Sequence, residues 1–350
     1  MSVFTMRLLA GISAALALLL VVYAFEFPPV DSVQRGYRGL AMEENSNPRT
    51  DRAKVRANQL PEPAPATDPA GQKASEVYTN VKVLGDMDAN EFLRLMTDMT
   101  TWVSPEQGCA YCHDENDLAA ERPYTKIVSR RMLEMVRYIN GSWKTHVADT
   151  GVTCWACHRG QPVPASVWYL DSPKTARGAA GNLAGQNVAS AAGGITALPV
   201  DPFTPFLKDA NEIRVISGTA LPAGNRASIK QTEWTYSLMM HISKGLGVNC
   251  TYCHNSRSFF DWDQSTPQRT TAWYGIRMTR DINTQFLEPL TPQFPASRLG
   301  PLGDVAKVNC ATCHEGVNKP LYGASMVKDY PILIGPAPAR TASAAPAAAK

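Results

Sequence analysis

A Cys-x-x-Cys-His motif occurs four times in this 350-residue chain, and it constrains the fold more than any other feature. The copies are Cys109-Ala-Tyr-Cys112-His113, Cys154-Trp-Ala-Cys157-His158, Cys250-Thr-Tyr-Cys253-His254 and Cys310-Ala-Thr-Cys313-His314. Together they use all 8 cysteines and four of the 6 histidines. A single Cys-x-x-Cys is also typical of a redox dithiol or of half a zinc site, but neither needs a histidine after every second cysteine. The pattern predicts four covalently bound haem c groups, each held by two thioether bonds and by one histidine on the iron.

The composition excludes one class of partner. The chain has 34 Lys and Arg residues against 31 Asp and Glu residues, a formal net charge of +3 at pH 7. It has no basic arm with interleaved aromatic residues, so we expect no nucleic acid among its partners. The 26 prolines and 24 glycines indicate much irregular backbone, which suits a core that is built partly from cofactor.

The N-terminus contains one uncharged apolar run, Leu8 to Phe25, close to the lower length limit for a helix that crosses a bilayer. Arg7 precedes the run and Glu26 follows it, so the positive-inside rule places the N-terminus in the cytoplasm and the rest outside. A cleaved signal peptide is the alternative. The run ends in bulky residues rather than in a small-x-small cleavage site, which favours a retained anchor. Because thioether attachment of haem takes place outside the cytoplasm, we expect the cysteines to be consumed by haem and not paired in disulfides.

The two halves of the chain repeat each other. Residues Leu95–His113 match Leu238–His254, each an apolar helix followed by a loop into a motif. Glu134–Asn140 matches Arg277–Asn283, each a helix before the next motif. The repeat predicts a mainly α multihaem cytochrome c, built from a tandem duplication of a two-haem helix–turn–Cys-x-x-Cys-His module, with long irregular loops and one N-terminal transmembrane helix.

The predicted organisation has six parts. They are an N-terminal membrane anchor (1–27), an extended arm or linker (28–75), a first two-haem module (76–170), a connector (171–200), a second two-haem module (201–334) and a disordered tail (335–350). Apolar periodicity predicts helices over Asp88–Trp102, Thr125–Asn140, Ser228–Lys244 and Thr270–Phe286. Asp86 or Asp88 is the expected N-cap of the first. Short strands are expected near Val77–Leu84 and Ile213–Ile216.

Each iron also needs a ligand on its second face, where histidine gives a lower reduction potential than methionine. Once the four motif histidines are assigned, His146 and His241 remain, so at most two haems have two histidine ligands. The repeat aligns Met96 with Met239, and we predict these as ligands of the first and third haems. His241 aligns with an aspartate, so we expect it at the surface or supporting a ligand without touching iron.

The second helix pair of the repeat predicts different ligands for the second and fourth haems. Met135 aligns with Met278, whereas Met132 aligns with Gly275, so one helix lacks a side chain where the other offers sulfur. We predict that Met132 binds the haem at the second motif. The haem at the fourth motif then takes its ligand from elsewhere, and His146 is the candidate, with Met278 as the rival.

Several sequence blocks together resemble one family. They are the four motifs in two tandem pairs and the segments "RGYRGLAMEENSNPR", "WVSPEQGCAYCH", "SRRMLEMVRYIN", "TGVTCWACHRG", "LGVNCTYCHN" and "STPQRTTAWYGIRM". They resemble the tetrahaem cytochrome subunit of purple-bacterial photosynthetic reaction centres over nearly all of Gln34 to Tyr330. The resemblance implies His/Met ligation for three haems and two histidines for the fourth. That pattern falls on Met96, Met132 and Met239 and, for the fourth haem, on His146.

The resemblance also implies a function and a location. The subunit lies on the periplasmic face of the pigment-binding L and M subunits, in a complex with the H subunit and light-harvesting antenna of the photosynthetic inner membrane. It re-reduces the photo-oxidised bacteriochlorophyll pair with electrons from a soluble periplasmic cytochrome c or high-potential iron-sulfur protein. The haem of the third motif is the nearest to the pair and that of the first is the most distant. Many members carry a lipid-bearing N-terminal cysteine; this chain has none, so anchoring rests on the Leu8–Phe25 helix and on docking.

Charged residues near the motifs suggest two further roles. Arg159, Arg257 and Arg269 are candidate partners of haem propionates, with an ordinary surface position as the alternative. Acidic residues surround the first motif: Glu106, Asp114, Glu115, Asp117 and Glu121. We hypothesise that this patch steers a basic soluble cytochrome c to the distal haem, since complementary charge mainly raises the association rate. A solvated face without a partner is the alternative.

Two other functions fit four motifs less well. A membrane-anchored tetrahaem quinol dehydrogenase relies mostly on histidine ligation, which two spare histidines do not provide. A multihaem reductase needs an open iron, whereas the sequence offers a sixth ligand for every haem. We therefore expect an electron carrier and not an enzyme.

Overall fold

The computed structural model describes residues 2–24, 29–35, 41–171, 189–190, 194–195, 198–215 and 229–336, and helices predominate there. The helices are α1 (Val3–Ala24), α2 (Pro48–Ala57), α3 (Ala74–Val77), α4 (Ala89–Val103), α5 (Tyr124–Ser142), α6 (Lys144–Val147), α7 (Trp155–His158), α8 (Ile229–Leu246), α9 (Pro267–Asp281) and α10 (Cys310–His314). Three two-stranded antiparallel pairs accompany them: β1 (Asp31–Arg35) with β2 (Met42–Ser46), β3 (Val167–Trp168) with β6 (Lys307–Val308), and β4 (Ala189–Ser190) with β5 (Gly194–Ile195). The prediction of a mainly α chain is confirmed.

Shorter helical segments fill the loops. Two are π-helical, Thr204–Lys208 and Ile282–Leu287. The rest are 3₁₀ turns: Gly108–Tyr111, Cys250–Tyr252, Glu288–Gln293, Ala296–Arg298, Pro320–Gly323, Val327–Asp329 and Pro331–Leu333. Much of the loop backbone is thereby locally hydrogen-bonded, although few long elements exist.

Helix α1 is long and apolar enough to cross a membrane. None of its 22 residues is buried and none is acidic, and at 1.5 Å per residue they extend about 33 Å, close to the thickness of a hydrocarbon core. The helix begins five residues before the predicted Leu8 because Val3, Phe4 and Met6 extend the apolar run. It is the one such helix among the described residues, and Phe25 lies outside them.

The four predicted haem-domain helices are confirmed as α4, α5, α8 and α9. Asp88 caps α4 by accepting hydrogen bonds from the backbone N–H groups of Asn90 and Glu91. Of the two predicted N-caps, Asp86 and Asp88, the second is therefore the correct one. Helix α9 begins three residues earlier than predicted, because Thr266 and Pro267 form its first turn, and it passes into a π-helical turn before Phe286. The predicted start of α8, Ser228, lies outside the described residues.

The strand predictions were wrong. Ser75 and Ala74 donate backbone hydrogen bonds to Gly85 and Met87, which folds residues 78–84 into turns instead of extending them. Residues 213–215 are irregular, and Ile216 lies outside the described part. Most of the predicted connector (172–188, 191–193 and 196–197) and residues 337–350 of the predicted tail also lie outside it.

The core consists of three apolar clusters, and each joins segments far apart in the chain. The first combines α4 and α5 with the C-terminal segment, through Leu95, Trp102, Leu133, Val327, Tyr330 and Leu333. The second surrounds α8, through Trp168, Phe203, Phe206, Leu207, Leu238, Ile242 and Ile276. The third lies between α5 and α9, through Ile139, Met278, Ile282, Leu287 and Val305. The C-terminal segment thus returns across the first half of the chain and closes its core.

The segment after α2 has no regular structure over residues 59–72, as predicted for an arm. It is nevertheless fixed to α4: the buried Asp98 carboxylate accepts a hydrogen bond from Ala64 N at 2.9 Å and another from the Tyr330 hydroxyl. Burial raises the pKa of Asp98. One carboxylate therefore holds both the arm and the C-terminal segment on the same helix.

Candidate haem-binding site

Five of the six histidines are oriented in the same way. The Nδ1 atom of each lies 2.8–3.0 Å from a backbone carbonyl oxygen: His113 to Leu118, His158 to Gln161, His254 to Phe259, His314 to Val317, and His146 to Thr271. An imidazole that donates Nδ1–H to a carbonyl presents the lone pair of Nε2, which is the atom that binds a metal ion. All four motif histidines and His146 are therefore oriented so that Nε2 can bind a metal ion.

The first and third motifs share one local structure. Each lies in a 3₁₀ turn, and its histidine bonds the carbonyl five residues further on. Thr125 donates its hydroxyl hydrogen bond to the carbonyl of Tyr111, and Thr266 does the same to Tyr252 at 2.6 Å. A threonine from the next helix thus fixes the residue between the two cysteines.

The second and fourth motifs share a different local structure. Each forms one α-helical turn, its histidine bonds the carbonyl three residues on, and the next residue, Arg159 or Glu315, is left-handed. Gly160 N donates to Trp102 O at 2.9 Å, and Gly316 N donates to Gly245 O at 2.8 Å. Helix α4 therefore packs on the second motif as α8 packs on the fourth.

One large cavity, of about 1100 Å³, joins three of the motifs. Its wall is mostly apolar and includes Cys109, Cys112, His113, Cys154, Cys157, His158, Cys310, Cys313 and His314. Met96, Met132 and His146 also line it. Of the third site, the wall includes Cys253, whereas Cys250, His254 and Met239 are not among its residues. An apolar space with convergent histidine, cysteine and methionine side chains fits the ring and the anchors of haem.

His146 and His314 face each other across this cavity, with ring centroids 6.0 Å apart. Two imidazoles that bind one metal ion through nitrogens at about 2 Å each place their centroids roughly 6 Å apart. Gly275 makes room for the His146 ring, since a Cβ there would lie 2.5 Å from His146 Cε1. The residues present thus fit a haem with two histidines at the fourth motif.

The methionines predicted as ligands occupy two surroundings. Met96 on α4 and Met132 on α5 line the cavity, whereas Met239 on α8 is half-buried against the second apolar cluster. Four further methionines line the cavity: Met99, Met135 and Met326, which were not predicted as ligands, and Met278, the rival candidate for the fourth haem. Met278 is buried in the third cluster, and Met326 Sδ accepts a hydrogen bond from Thr153. Sequence gave no signal for Met326, which lies far from every motif.

The thiols of these motifs differ from those of a redox dithiol. Burial raises the pKa of Cys112 and Cys253 to about 11 and that of Cys154 and Cys310 to about 12. A catalytic dithiol needs the opposite, a lowered pKa that maintains a thiolate. No group of three or more His, Cys, Asp or Glu side chains in the described ranges is arranged to hold a metal ion, as a zinc site requires.

The structure departs from the expectation that no cysteines pair. Cys157 and Cys313 form a disulfide bond, with Cα atoms 4.5 Å apart. The reason is the close packing of α7 on α10, where Arg159 donates a hydrogen bond to the carbonyl of Cys313 at 3.2 Å. The second cysteines of the second and fourth motifs therefore meet, and each sulfur can form either this disulfide or a thioether bond.

His241 is not at the surface, which corrects one of its two predicted positions. It is 4 % exposed, its ring lies 4.6 Å from that of Phe203, and its Nε2 has no hydrogen-bond partner among the described residues. Burial lowers the pKa of His241 to about 4, with a smaller contribution from Lys244. The imidazole is therefore neutral, and it lies beside the aromatic core of the second half.

The three arginines have different surroundings. Arg159 donates to the carbonyl of Ala57 at 2.7 Å and to Asn58 Oδ1 at 3.3 Å in addition to Cys313. Arg269 donates to Asp261 O and Ser265 Oγ and stacks 4.0 Å from the Trp262 ring. Arg257 is exposed. Two of the three thus already hold the backbone next to a motif.

The acidic patch at the first motif divides into paired and unpaired carboxylates. Asp114 forms a salt bridge with Arg122, and Glu121 forms salt bridges with Lys82 and Arg130. The other three, Glu106, Glu115 and Asp117, are exposed and make no salt bridge within the described part of the chain. These three leave negative charge free on the surface next to the first motif.

Comparison with known proteins finds several relatives described as photosynthetic reaction centre cytochrome c subunits. The sequence model of the family described as photosynthetic reaction centre cytochrome c subunit matches residues 26–334, which contain all four motifs. A photosynthetic reaction center cytochrome c subunit of Rubrivivax gelatinosus is 56% identical over 322 residues, 91% of this chain and 87% of the relative. Its counterpart in Thermochromatium tepidum is 54% identical over 334 residues, 92% of this chain and 82% of the relative. That of Roseobacter denitrificans is 42% identical over 283 residues, 77% and 76% of the two chains.

Proposed function

The chain belongs to the family of photosynthetic reaction centre cytochrome c subunits, and on that premise we propose that four haem c groups on it relay electrons from a soluble periplasmic donor to the photo-oxidised bacteriochlorophyll pair. Membership itself establishes an electron carrier with covalently bound haem c, associated with the membrane and with the reaction centre complex, and not an enzyme. The observation that carries the number four is the shared orientation of all four motif histidines, each with Nδ1 bonded to a carbonyl.

The proposed axial ligands follow the predicted set. Motif histidines His113, His158, His254 and His314 bind the four irons on one face, and Met96, Met132, Met239 and His146 bind them on the other. Each haem, when bound, supplies an iron that accepts and releases one electron. The protein's part is to hold these side chains, to keep water from the irons and to set their potentials through the choice of sulfur or imidazole. In the loaded protein Cys157 and Cys313 would each hold haem through a thioether bond, which forms from a reduced thiol, so an external dithiol would first have to reduce their disulfide to two thiols.

We propose that the chain is a tandem duplication of a two-haem module, residues 76–170 and 201–334, joined by a connector at 171–200. The matched local structures of the first and third motifs and of the second and fourth motifs support this proposal. So do the equivalent hydrogen bonds from Gly160 to Trp102 and from Gly316 to Gly245. The C-terminal segment, which packs on the first module, is an addition to this plan.

The strands that follow the N-terminal helix α1 support an orientation of the protein in the membrane. Strands β1 and β2 follow α1, and Met42 of β2 bonds the third motif: Met42 N donates to Thr251 Oγ1 at 3.0 Å, and Asn249 Nδ2 donates to Met42 O at 2.9 Å. The loop after this motif exposes Phe259, Phe260 and Trp262. We propose that the N-terminus is cytoplasmic, that residues beyond α1 are periplasmic, and that the third haem faces the L and M subunits in the complex that also includes the H subunit and antenna.

The first motif is the proposed site of electron entry. We propose that Glu106, Glu115 and Asp117 steer a soluble donor, a basic cytochrome c or a high-potential iron-sulfur protein, to the first haem. The salt bridges of Asp114 and Glu121 take these two carboxylates out of the steering set. Electrons then enter at the first haem and leave from the third, which is the haem proposed to face the L and M subunits.

Intact mass spectrometry of the protein from its native membranes tests the haem count. The proposal expects the chain mass plus four haem groups and no free thiol or disulfide. A mass with three haem groups or fewer, with Cys157 and Cys313 still joined, contradicts it.

A further inference from the structure

Two buried asparagines occupy equivalent positions in the two halves. Asn140 and Asn283 are the last residues of the matched segments Glu134–Asn140 and Arg277–Asn283, and they are 3 % and 0 % exposed. A buried side-chain amide is costly unless its donors and acceptor are paired, so the partners of these two groups show what they do.

Asn140 forms a two-way bond with the residue that leads into the second motif. Val152 N donates to Asn140 Oδ1 at 2.7 Å, and Asn140 Nδ2 donates to Val152 O at 2.9 Å. The second Nδ2 hydrogen goes to Leu333 O at 2.8 Å, in the C-terminal segment. Val152 lies two residues before Cys154, so the amide fixes the backbone just ahead of the haem anchor.

Asn283 repeats this arrangement at the fourth motif. Val308 N donates to Asn283 Oδ1 at 2.8 Å, and Asn283 Nδ2 donates to Val308 O at 3.0 Å and to Leu207 O at 2.9 Å. Val308 lies two residues before Cys310, as Val152 lies two residues before Cys154. The same three-bond arrangement therefore occurs twice in unrelated surroundings.

Each asparagine is attached to an element that carries or contacts the opposite axial ligand. Asn140 is on α5, the helix of Met132. Asn283 lies in the π-helical turn that continues α9, and the Thr271 carbonyl and Gly275 of α9 contact the His146 ring. Between Asn140 and Cys154 the chain turns away through α6, so helix continuity does not set the distance from α5 to the second motif. The amide adds a direct hydrogen-bonded connection between α5 and the second motif to the apolar cluster that Leu133 and Val136 share with Cys154.

We propose that Asn140 and Asn283 are positioning residues that hold the two axial ligands of the second and fourth haems at their binding distance. The proposal rests on the four-haem function above. Losing the amide leaves the Val backbone N–H and carbonyl groups buried without partners, which is unfavourable. The motif is then free to shift relative to the helix of the distal ligand, and that ligand dissociates more readily from iron.

The test is carbon monoxide binding to the ferrous whole protein, since carbon monoxide enters only where an axial ligand has left. Asn140→Ala and Asn283→Ala are each expected to bind carbon monoxide at one haem of four, and the unaltered protein at none. Hydrogen exchange of the Val152 or Val308 amide, measured in the same samples, is expected to rise in the matching variant alone. Asn140→Asp and Asn283→Asp, which keep the side-chain shape and the acceptor, serve if the alanine variants do not accumulate.

Neighbouring residues supply matched controls. Ser142→Ala removes a buried hydroxyl without a hydrogen-bond partner in the described residues, at the end of the same helix as Asn140. Thr284→Ala removes a hydroxyl that donates to the Arg280 carbonyl of its own turn, its one bond among the described residues. Both are expected to bind no carbon monoxide.

The proposal is overturned if the asparagine variants show faster exchange at Val152 or Val308 while all four irons stay closed to carbon monoxide. It is equally overturned if the controls open an iron to the same extent. Failure of the proposed function is a different result, since fewer than four haems would then be found in the unaltered protein.

Discussion

His146 and His314 lie 168 positions apart in the numbering, yet their ring centroids are 6.0 Å apart, in an edge-on arrangement with an interplanar angle of 67°. Burial lowers the pKa of His314 to about 4, with a smaller effect from His146, and burial also lowers the pKa of His146. Both imidazoles are therefore neutral at physiological pH, which is the form that binds a metal ion. Thr271, Val317 and Gly275 fix the two rings from outside the pair.

Replacing His146 tests which side chain completes the fourth site. In His146→Ala we expect carbon monoxide to bind one ferrous haem of four, because an axial ligand is lost. Met278→Leu is the matched variant for the rival ligand, and we expect it to leave all four irons closed, since Met278 lies in the apolar core. Optical titration with carbon monoxide distinguishes the two. Opening in Met278→Leu and none in His146→Ala would reverse the assignment.

The substitution Gly275→Ala tests how closely α9 packs against the His146 ring. Alanine normally stabilises a helix by about 1 kcal/mol relative to glycine. Here the added Cβ would lie 2.5 Å from His146 Cε1, so we expect the opposite sign, a loss of roughly 1–3 kcal/mol as in other overpacked sites. Denaturant unfolding followed by haem absorbance measures it. A gain in stability would show that the ring has free space.

Local sequence patterns predicted the helices of this chain, whereas the packing between distant segments could not be predicted from them. The motifs and the helical periodicity are local, so α4, α5, α8 and α9 and the anchor helix were found, and the missing side chain at Gly275 pointed to His146. The amides of Asn140 and Asn283 were visible in the repeat, but their role depends on Val152 and Val308, which only folding brings near. The buried position of His241 and the return of Tyr330 and Leu333 to the first core depend on long-range packing, which no local pattern encodes.

The unpaired carboxylates at the first motif make a kinetic prediction. In Glu106→Gln/Glu115→Gln/Asp117→Asn we expect the bimolecular rate of reduction by a basic cytochrome c to fall about tenfold at low ionic strength and to lose most of its salt dependence. Stopped-flow measurement over a range of ionic strength gives both the bimolecular rate and its salt dependence. Asp263→Asn, an exposed carboxylate near the third motif, is the control and should leave the rate unchanged. An equal fall in the control would exclude local steering.

The lowered pKa of Glu121 predicts that the free energy of unfolding depends on pH. Hydrogen bonds from Lys82, then Asn80 and Arg130, lower the pKa of Glu121 from 4.5 to about 2. Because the folded protein binds this proton less tightly than the unfolded chain, the contribution of Glu121 is complete above pH 4.5 and is lost as the pH falls towards 2. The difference in unfolding free energy between the unaltered protein and Glu121→Gln should shrink over that interval. Glu106→Gln, which removes a carboxylate without a salt bridge in the described part of the chain, is the matched control.

Flash spectroscopy on native membranes tests the central claim most directly. After a single saturating flash, the account predicts that the photo-oxidised bacteriochlorophyll pair is re-reduced while a haem of this chain becomes oxidised at the same rate. Membranes in which the haem protein is present and reduced, but the pair stays oxidised with no haem signal, would contradict it.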